Sequence, residues 1–193
     1  MKMLLIAGML LMGTAVCAQN SKHELSVGYG IGTTSEILDV FSDMLASAFT
    51  AGGYSTTNDS YTGAFHVTYK YLFPNKLSLG GTFAYESGKA DVMYSGVKNG
   101  ETKKKYYSGA VEADYRYVNK PAFSLYSGLG LGFTSYHEEY IPDGRDDKSS
   151  DNMTHFNFQI IGIGVRFGTH IGGFAEAGFG YKGIIAAGVF ARF

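Results

Sequence analysis

Residues Ile184-Ile-Ala-Ala-Gly-Val-Phe-Ala-Arg-Phe193 end the chain, and their alternation decides the fold. Successive side chains of a β-strand point to opposite faces. One face of this segment is apolar throughout, whereas the other carries mainly small residues and ends with Arg192. A strand with one apolar face and one charge-bearing face suits a barrel wall between lipid and a packed lumen. The segment therefore predicts a transmembrane β-barrel.

Seven further segments show the same alternation and predict seven more strands. They lie at 23–32, 60–73, 77–85, 106–118, 123–133, 154–168 and 173–182. The resulting eight strands are an even number, which lets antiparallel neighbours close into a barrel without a free edge. In the sixth segment the apolar residues change from even-numbered to odd-numbered positions midway, which predicts a β-bulge near Ile160.

The predicted connections alternate in length. Short turns are expected at 74–76, 119–121 and 169–172, and long loops at 33–59, 90–105 and 137–153. Short periplasmic turns and long outer loops are typical of such barrels. The 15 tyrosines and 14 phenylalanines collect near both ends of the predicted strands, as expected for two interfacial girdles.

The N-terminal segment is typical of a signal peptide, with Lys2 before an apolar run at 3–16. Small residues around Cys17 favour cleavage after Ala18. This divides the chain into a signal peptide at 1–18 and a single barrel domain at 19–193. The alternative is a lipidated Cys17, although valine is bulky directly before that position. Cleavage after Ala18 leaves no cysteine, which excludes disulfides and cysteine-based metal sites.

Three features carry a resemblance to a known family: Phe193 after alternating Val189 and Ala191, the signal peptide, and the stretch Glu176-x-Gly178-x-Gly180-Tyr181-Lys182-Gly183. Over 23–193 the chain resembles small eight-stranded bacterial outer-membrane barrels of the OmpA/OmpX type. The resemblance implies an all-β, eight-stranded antiparallel transmembrane barrel in the bacterial outer membrane. It also implies contact with outer-membrane lipid, including lipopolysaccharide, and makes Phe193 part of the signal read by the insertion machinery. We expect a monomer.

The first long loop departs from the simplest members of that family because it contains a predicted amphipathic helix from Glu36 to about Phe49. Ser35 is the expected cap, and Gly52-Gly53 ends the helix. Apolar residues recur at helical spacing along one face: Ile37, Leu38, Phe41, Met44, Leu45 and Phe49. We expect this face to pack over the barrel mouth. The alternative is binding to lipid or a partner, although three acids and no base disfavour anionic lipid.

Charged residues at inward positions predict that the lumen is plugged. The set comprises Lys70, Glu112, Asp114, Arg116, Arg166, Glu176 and Arg192. An eight-stranded barrel is only wide enough for side chains, and buried charges persist when they are paired. We therefore predict an ion-pair network in which Glu176 compensates Arg116, Arg166 or Arg192. His66 also faces inward and is expected to be a hydrogen-bonded filler.

The second and third long loops carry opposite charge. The second loop contains four lysines, Lys98 and Lys103-Lys104-Lys105. The third loop contains six acids: Glu138, Glu139, Asp143, Asp146, Asp147 and Asp151. The simplest interpretation is two solvated loops that attract one another. The alternative assigns lipopolysaccharide phosphates to the lysines and a divalent cation to the acids. The spacing of residues 143–147 does not match a calcium loop, so we expect no metal site.

The sequence offers no catalytic constellation. The five histidines lie on different predicted elements, and His155-Phe156-Asn157 lacks the serine two residues on that a barrel deacylase would use. A net charge of −1 argues against nucleic-acid binding. We expect a cell-envelope barrel with a structural or surface-interaction role, no enzymatic activity and no cofactor. The alternative is a narrow, porin-like pore or a lipid or small-solute transporter. A lipid-modifying enzyme is less favoured.

Overall fold

The computed structural model describes residues 22–50, 54–95, 97–142 and 149–193. The predicted signal peptide and its Cys17, Gly52-Gly53, the acids Asp143, Asp146 and Asp147, and the side chain of Phe41 lie outside the described part. The described residues form β1 (His23–Ile31), α1 (Thr34–Phe49), β2 (Tyr54–Tyr61), β3 (Ala64–Leu72), β4 (Leu77–Tyr94), β5 (Val97–Lys120), β6 (Phe123–Pro142), β7 (Ser149–Gly168), β8 (Ile171–Gly180) and β9 (Ile185–Arg192).

Eight of these strands close into an antiparallel ring in the order β4-β3-β1-β9-β8-β7-β6-β5, and β5 pairs back with β4. The first and last strands meet, with Val27 opposite Val189. Closure satisfies the backbone hydrogen bonds that lipid cannot satisfy. The predicted fold class, an eight-stranded barrel with a helix in its first long connection, is confirmed. No helix among the described residues is long and apolar enough to cross a membrane.

The second predicted strand is broken in two. Both β2 and β3 pair with the same edge of β4, and the break falls at Thr62-Gly63. Gly63 has a φ of +70°, and a Cβ there would lie 2.6 Å from the carbonyl oxygen of Gly30. Glycine tolerates both conditions because it has no side chain. The barrel strand β3 therefore begins at Ala64. β2 is a separate strand that pairs with β4 beyond the end of β3.

The prediction of long loops at 90–105 and 137–153 is wrong, because the described residues of both segments, 90–94, 97–105, 137–142 and 149–153, extend the barrel strands as long hairpins. The β4–β5 pairing runs from Leu77–Tyr115 to Tyr94–Val97, and β6–β7 pairs up to Tyr140–Ser149. Lysine and glutamate are depleted in strands, so their abundance favoured loops. Cross-strand partners of opposite charge, such as Lys103 and Glu139, can stabilise such positions.

These extensions form what we call the outer wall, residues 54–61, 86–94, 97–106, 134–142 and 149–157. It is a five-stranded sheet in the order β2-β4-β5-β6-β7, and it stands beyond the last rungs of β3 and β8. The wall and the short turns therefore lie at opposite ends of the barrel. In such barrels the short turns face the periplasm.

The predicted bulge in β7 is confirmed two residues further along. The β7–β8 register shifts between Ile161 and Ile163, at Gly162. Ile161 faces the lumen and is 1% exposed, whereas Ile160 and Ile163 face outward. One extra residue switches the parity of the strand, which keeps apolar side chains on the lipid side on both sides of the bulge within the barrel.

The barrel is polar inside and apolar outside. Most fully buried side chains are charged or polar, including Arg166, Lys70 and Lys182, while aliphatic side chains cover the outer surface. Outward aromatic pairs mark the two rims: Tyr71 with Phe73 at the short-turn end, and Tyr85 with Tyr107 below the outer wall, with ring centroids 4.9 and 5.2 Å apart. This distribution suits a wall embedded in lipid.

Candidate functional sites in the lumen and at the outer mouth

One cluster of the lumen is built around Glu24 of β1, near the short-turn end. Arg116 Nη2 donates to both carboxylate oxygens at 3.2 Å, and Arg192 Nε donates at 2.8 Å. Arg166 Nε lies 3.0 Å from Glu24 without hydrogen-bond alignment, so that contact is an ion pair. One buried carboxylate thus serves three guanidinium groups, contributed by inward positions of β5, β7 and β9.

A second cluster lies deeper in the barrel, around Glu112. Its carboxylate contacts Lys70 at 2.9 Å and Lys182 at 2.8 Å, and Lys70 also binds Asp114 at 2.7 Å. Lys182 reaches Glu176 at 3.4 Å. Acids and bases alternate here, so each charge has at least one partner of opposite sign.

Tyr126 joins the two clusters. Its hydroxyl donates to Glu176 at 2.6 Å, and the guanidinium of Arg166 lies 4.1 Å from the centre of its ring. A guanidinium over an aromatic face is held by a cation–π interaction. Tyr126 is fully buried, and a Cβ on Gly164 would lie 2.3 Å from its ring. The glycine of β7 therefore makes room for this side chain.

The structure brings all seven predicted lumen residues into these clusters but changes their pairing. We expected Glu176 to compensate an arginine; it binds Lys182 and Tyr126 instead, and the arginines share Glu24. Glu24 and Lys182 were not among the predicted lumen residues. The alternation of β1 places Glu24 inward. Lys182 ends the predicted segment 173–182 at the same parity as Glu176, so alternation places it inward as well, although in the structure it lies in the turn after β8.

Several buried polar groups have no hydrogen-bond partner among the described residues. Both ring nitrogens of His66 are unpartnered, so the expectation that it is a hydrogen-bonded filler is wrong. It lies 2% exposed beside Phe174, with the ring centroids 6.0 Å apart. Arg116 Nε, Arg192 Nη2 and Asp114 Oδ1 are also unpartnered. A buried donor or acceptor without a partner is costly, so each marks a place where a ligand or water would be stabilised.

The helix α1 is capped by Thr33, two residues before the expected Ser35. The Glu36 N–H donates to Thr33 Oγ1 at 3.1 Å, and the Glu36 carboxylate accepts from the Gly32 N–H at 3.2 Å. Thr33-x-x-Glu36 has the spacing of a capping box, a signal that was available in the sequence. The earlier start draws Thr34 and Ser35 into the first turn, where both are buried.

The polar face of α1 binds the mouth of the barrel. Thr33 Oγ1 lies 2.9 and 2.8 Å from the two carboxylate oxygens of Glu86, and Thr34 contacts Asn157 at 3.1 Å. Asp39 forms an ion pair with Lys104 at 3.1 Å and accepts hydrogen bonds from two tyrosines, Tyr61 and Tyr106. These contacts tie the helix to β2, β4, β5 and β7.

The apolar face of α1 points away from the barrel, so the prediction that it packs over the mouth is wrong. Exposure is 38% for Ile37, 55% for Leu38, 61% for Met44, 41% for Leu45 and 87% for Phe49. The physical reason is that the mouth is lined by Glu86, Lys104 and Tyr106, which match hydroxyl and carboxylate groups better than apolar ones. Helical periodicity defines two faces but not which of them meets the barrel.

Glu86 is the acid buried at this junction. It lies in the outer wall, beyond the last rung of β3, and is 3% exposed. Burial raises the pKa of Glu86 to about 7; the Thr33 hydrogen bond opposes this shift, and the nearby Glu36 and Asp39 charges add to it. The group therefore changes protonation near neutral pH.

Charges in the outer wall pair along and across strands. Lys98 binds Asp91 at 2.6 Å, Lys103 lies 4.0 Å from Glu101, and Tyr136 donates to Glu138. Within the described ranges no three His, Cys, Asp or Glu residues are grouped as metal ligands. Asp143, Asp146 and Asp147, which the alternative interpretation gave to a divalent cation, lie outside those ranges.

Comparison with known proteins identifies the fold family. A model of the outer membrane protein β-barrel domain matches residues 5–187. The chain belongs to this outer-membrane β-barrel family. No curated protein matches it.

Solved structures similar to this outer-membrane barrel include two bacterial proteins. One is Ail, the attachment invasion locus protein of Yersinia pestis, in complex with the heparin analogue sucrose octasulfate. It has 18% identity and a TM-score of 0.45, over 89% of this chain and 99% of that one. The other is the N-terminal β-barrel domain of Pseudomonas aeruginosa OprF, with 14% identity and a TM-score of 0.40, over 91% and 100%.

Family membership places this outer-membrane barrel in the bacterial outer membrane. Phe193 closes it at the periplasmic end. Its backbone N–H and C=O both bond to His23 at 3.0 Å, and the two rings stack with centroids 5.8 Å apart. The last residue is therefore ordered against the first strand, whereas its role in assembly stays a prediction.

Proposed function

We propose that this barrel is a plugged scaffold that presents its outer wall to a partner at the cell surface. The observation that carries the proposal is the wall itself, in which four barrel strands rise beyond the rims and a fifth strand, β2, is added to them. A barrel needs none of this sheet in order to close.

The wall has two edges at which strands lack a neighbour among the described residues. β2 pairs with β4 on one side, and β7 from Ser149 to Asn157 pairs with β6 but lies beyond the rungs of β8. Edge strands present unpaired N–H and C=O groups that can accept an added strand. The partner chemistry that fits is therefore an extended peptide segment of a surface protein.

The packing of the lumen favours a scaffold function rather than a channel function. The two ion-pair clusters and the Arg166–Tyr126 stack extend from the short-turn end into the middle of the barrel, and their side chains are almost fully buried. An eight-stranded barrel has room for little else. We infer that these side chains leave no continuous water path.

Site-specific photo-crosslinking on intact cells tests the surface role. A crosslinker at Thr56 or Asn152 samples the two edges, and one at Lys103 samples the central strand of the same wall. Adducts to a protein at the edge positions, with none at Lys103, are expected. Equal labelling at all three positions would contradict edge recognition.

A narrow pore is the second candidate, favoured by the unpartnered nitrogens of His66 in the middle of the lumen. Polar groups without protein partners are suitable sites for water. Planar-bilayer recordings separate the two functions. The plugged scaffold predicts no stable conductance for the wild type. Steady currents whose ion selectivity changes in Glu112→Gln would establish the pore instead.

A further inference from the structure

A cavity of about 590 Å³ opens at the short-turn end of the barrel. Its lining includes residues from the turns after β3, β5 and β7 and from the strand ends beside them. No acid lines it among the described residues. Its charged and titratable lining consists of bases: Lys22, Lys76, Arg116, Lys120, His170 and Arg192.

The deep side of this cavity is positively charged and carries unused donors. Beneath it, Glu24 is the one carboxylate shared by Arg116, Arg166 and Arg192. Arg116 and Arg192 both line the cavity. Within the described ranges, Arg116 Nε and Arg192 Nη2 have no hydrogen-bond partner. A buried unsatisfied donor favours an acceptor from outside.

The rim adds three lysine side chains. The ammonium groups of Lys22, Lys76 and Lys120 form no ion pair within the described ranges. Lys76 also has a φ of +70°, although lysine is not a residue that favours this conformation. A cleft lined by one sign of charge with low-dielectric walls concentrates counter-ions.

We propose that this cavity binds a multiply charged oxyanion of the phosphate class on the periplasmic side. Arginine N–H groups form short, charge-assisted hydrogen bonds with phosphate oxygens, and lysines add point charges around them. Two sources share this chemistry: a free periplasmic phosphate compound and the phosphate headgroup of an inner-leaflet lipid. The site lies at the opposite end from the outer wall and is independent of the surface role.

Isothermal titration calorimetry on the full barrel in non-ionic detergent tests the proposal with two probes. Inorganic pyrophosphate represents the soluble source, and micelles doped with phosphatidic acid represent the lipid source. Lys22→Gln/Lys120→Gln removes two rim charges while keeping the Glu24 cluster. We expect it to weaken binding about tenfold, equivalent to about 1.4 kcal/mol. Lys76→Asn gives a second test, because asparagine tolerates a positive φ better than lysine.

The matched control is Lys89→Gln/Lys105→Gln, which removes the same charge from the outer wall. Binding of pyrophosphate that is weakened by the rim variants but not by the control supports the site with a soluble ligand. Binding seen only with phosphatidic acid, with the same variant pattern, supports it with a lipid headgroup. Failure of both probes to bind, or equal weakening in the control, overturns the site. None of these outcomes depends on the crosslinking result at the outer wall.

Discussion

At the scale of single residues, the lumen depends on a few carboxylates that each hold several cations. Glu24 is surrounded by three guanidinium groups, whereas Glu176 binds one lysine and one tyrosine. Removing one partner of a buried ion pair is costly because it leaves the other charge uncompensated. The cost should therefore be greater at Glu24, where three charges lose their partner together.

Glu24→Gln should lower the free energy of unfolding by about 3–5 kcal/mol. The amide keeps the size of the side chain but removes the carboxylate that forms ion pairs with all three arginines. Urea unfolding in detergent micelles measures the change. The control is Glu101→Gln in the outer wall, whose contact with Lys103 is 4.0 Å long and half-exposed. That variant should lose under about 1 kcal/mol. Equal losses in the two variants would mean that the Glu24 cluster does not stabilise the barrel.

Phe193 should affect assembly in cells more than stability in detergent. Its side chain stacks on His23 at the rim and lies outside both lumen clusters, while the family resemblance predicts that it is part of the insertion signal. Deletion of Phe193 should leave detergent folding nearly intact and reduce the amount of barrel in outer-membrane fractions. Unchanged cellular levels would remove this role.

At the scale of elements, α1 is an amphipathic helix whose orientation on the barrel is opposite to the predicted one. Its acids and hydroxyls bind the mouth, and its apolar side chains face outward. Without a base on the helix, the carboxylate of Asp39 needs a cation from elsewhere, and Lys104 of β5 supplies it. The helix is therefore held by polar contacts whose strength depends on charge state.

Asp39→Ala should release α1 and expose it to protease while the barrel stays folded. The change removes the ion pair to Lys104 and the acceptor for Tyr61 and Tyr106. Leu38→Asp, on the exposed face, should leave protection unchanged. Limited proteolysis with heat-modifiability of the barrel as a folding check compares the two variants. Release by Leu38→Asp and not by Asp39→Ala would show that the apolar face of α1, and not its polar face, packs against the barrel mouth.

Glu86 should make the attachment of α1 depend on pH. Its folded-state pKa of about 7 lies above the ordinary value of 4.5, so the folded state binds the proton more tightly. The stabilisation is complete below pH 4.5 and is lost as pH rises through about 7. Hydrogen exchange of α1 should be faster at pH 8 than at pH 5, and Glu86→Gln should flatten this difference after correction for intrinsic exchange. A persistent slope in the variant would assign the effect to another group.

At the scale of the whole molecule, the sequence predicted what depends on period-two alternation. Lipid on one face and a packed lumen on the other impose that pattern on each strand, so strand number, closure and the inward charges of β5, β7 and β9 could be identified. Outside the membrane no such constraint acts, and water accepts charged side chains on either face. The sequence therefore did not reveal that residues 90–94, 97–105, 137–142 and 149–153 form strands. Lys182 was missed for a different reason: it ends the predicted segment 173–182, and alternation alone does not show whether the side chain at the end of a strand reaches into the lumen.

The barrel should fold without part of its outer wall. In β6–β7, Ser135 lies opposite Thr154, so residues 136–153 can be replaced by Asn-Gly, a dipeptide suited to a two-residue hairpin turn. The rungs that close the barrel remain, so the variant should stay heat-modifiable and keep α1 protected, because Lys104, Tyr106 and Asn157 are retained.

Replacing residues 89–103 of the β4–β5 hairpin by the same dipeptide joins Gly88 to its partner Lys104. It removes the β4 residues that pair with most of β2, so α1 should become sensitive to protease although the barrel still closes. Loss of the folded form in either variant would show that the wall is part of the barrel's folding unit. Retained protection of α1 in the second variant would show that β2 holds the helix without β4.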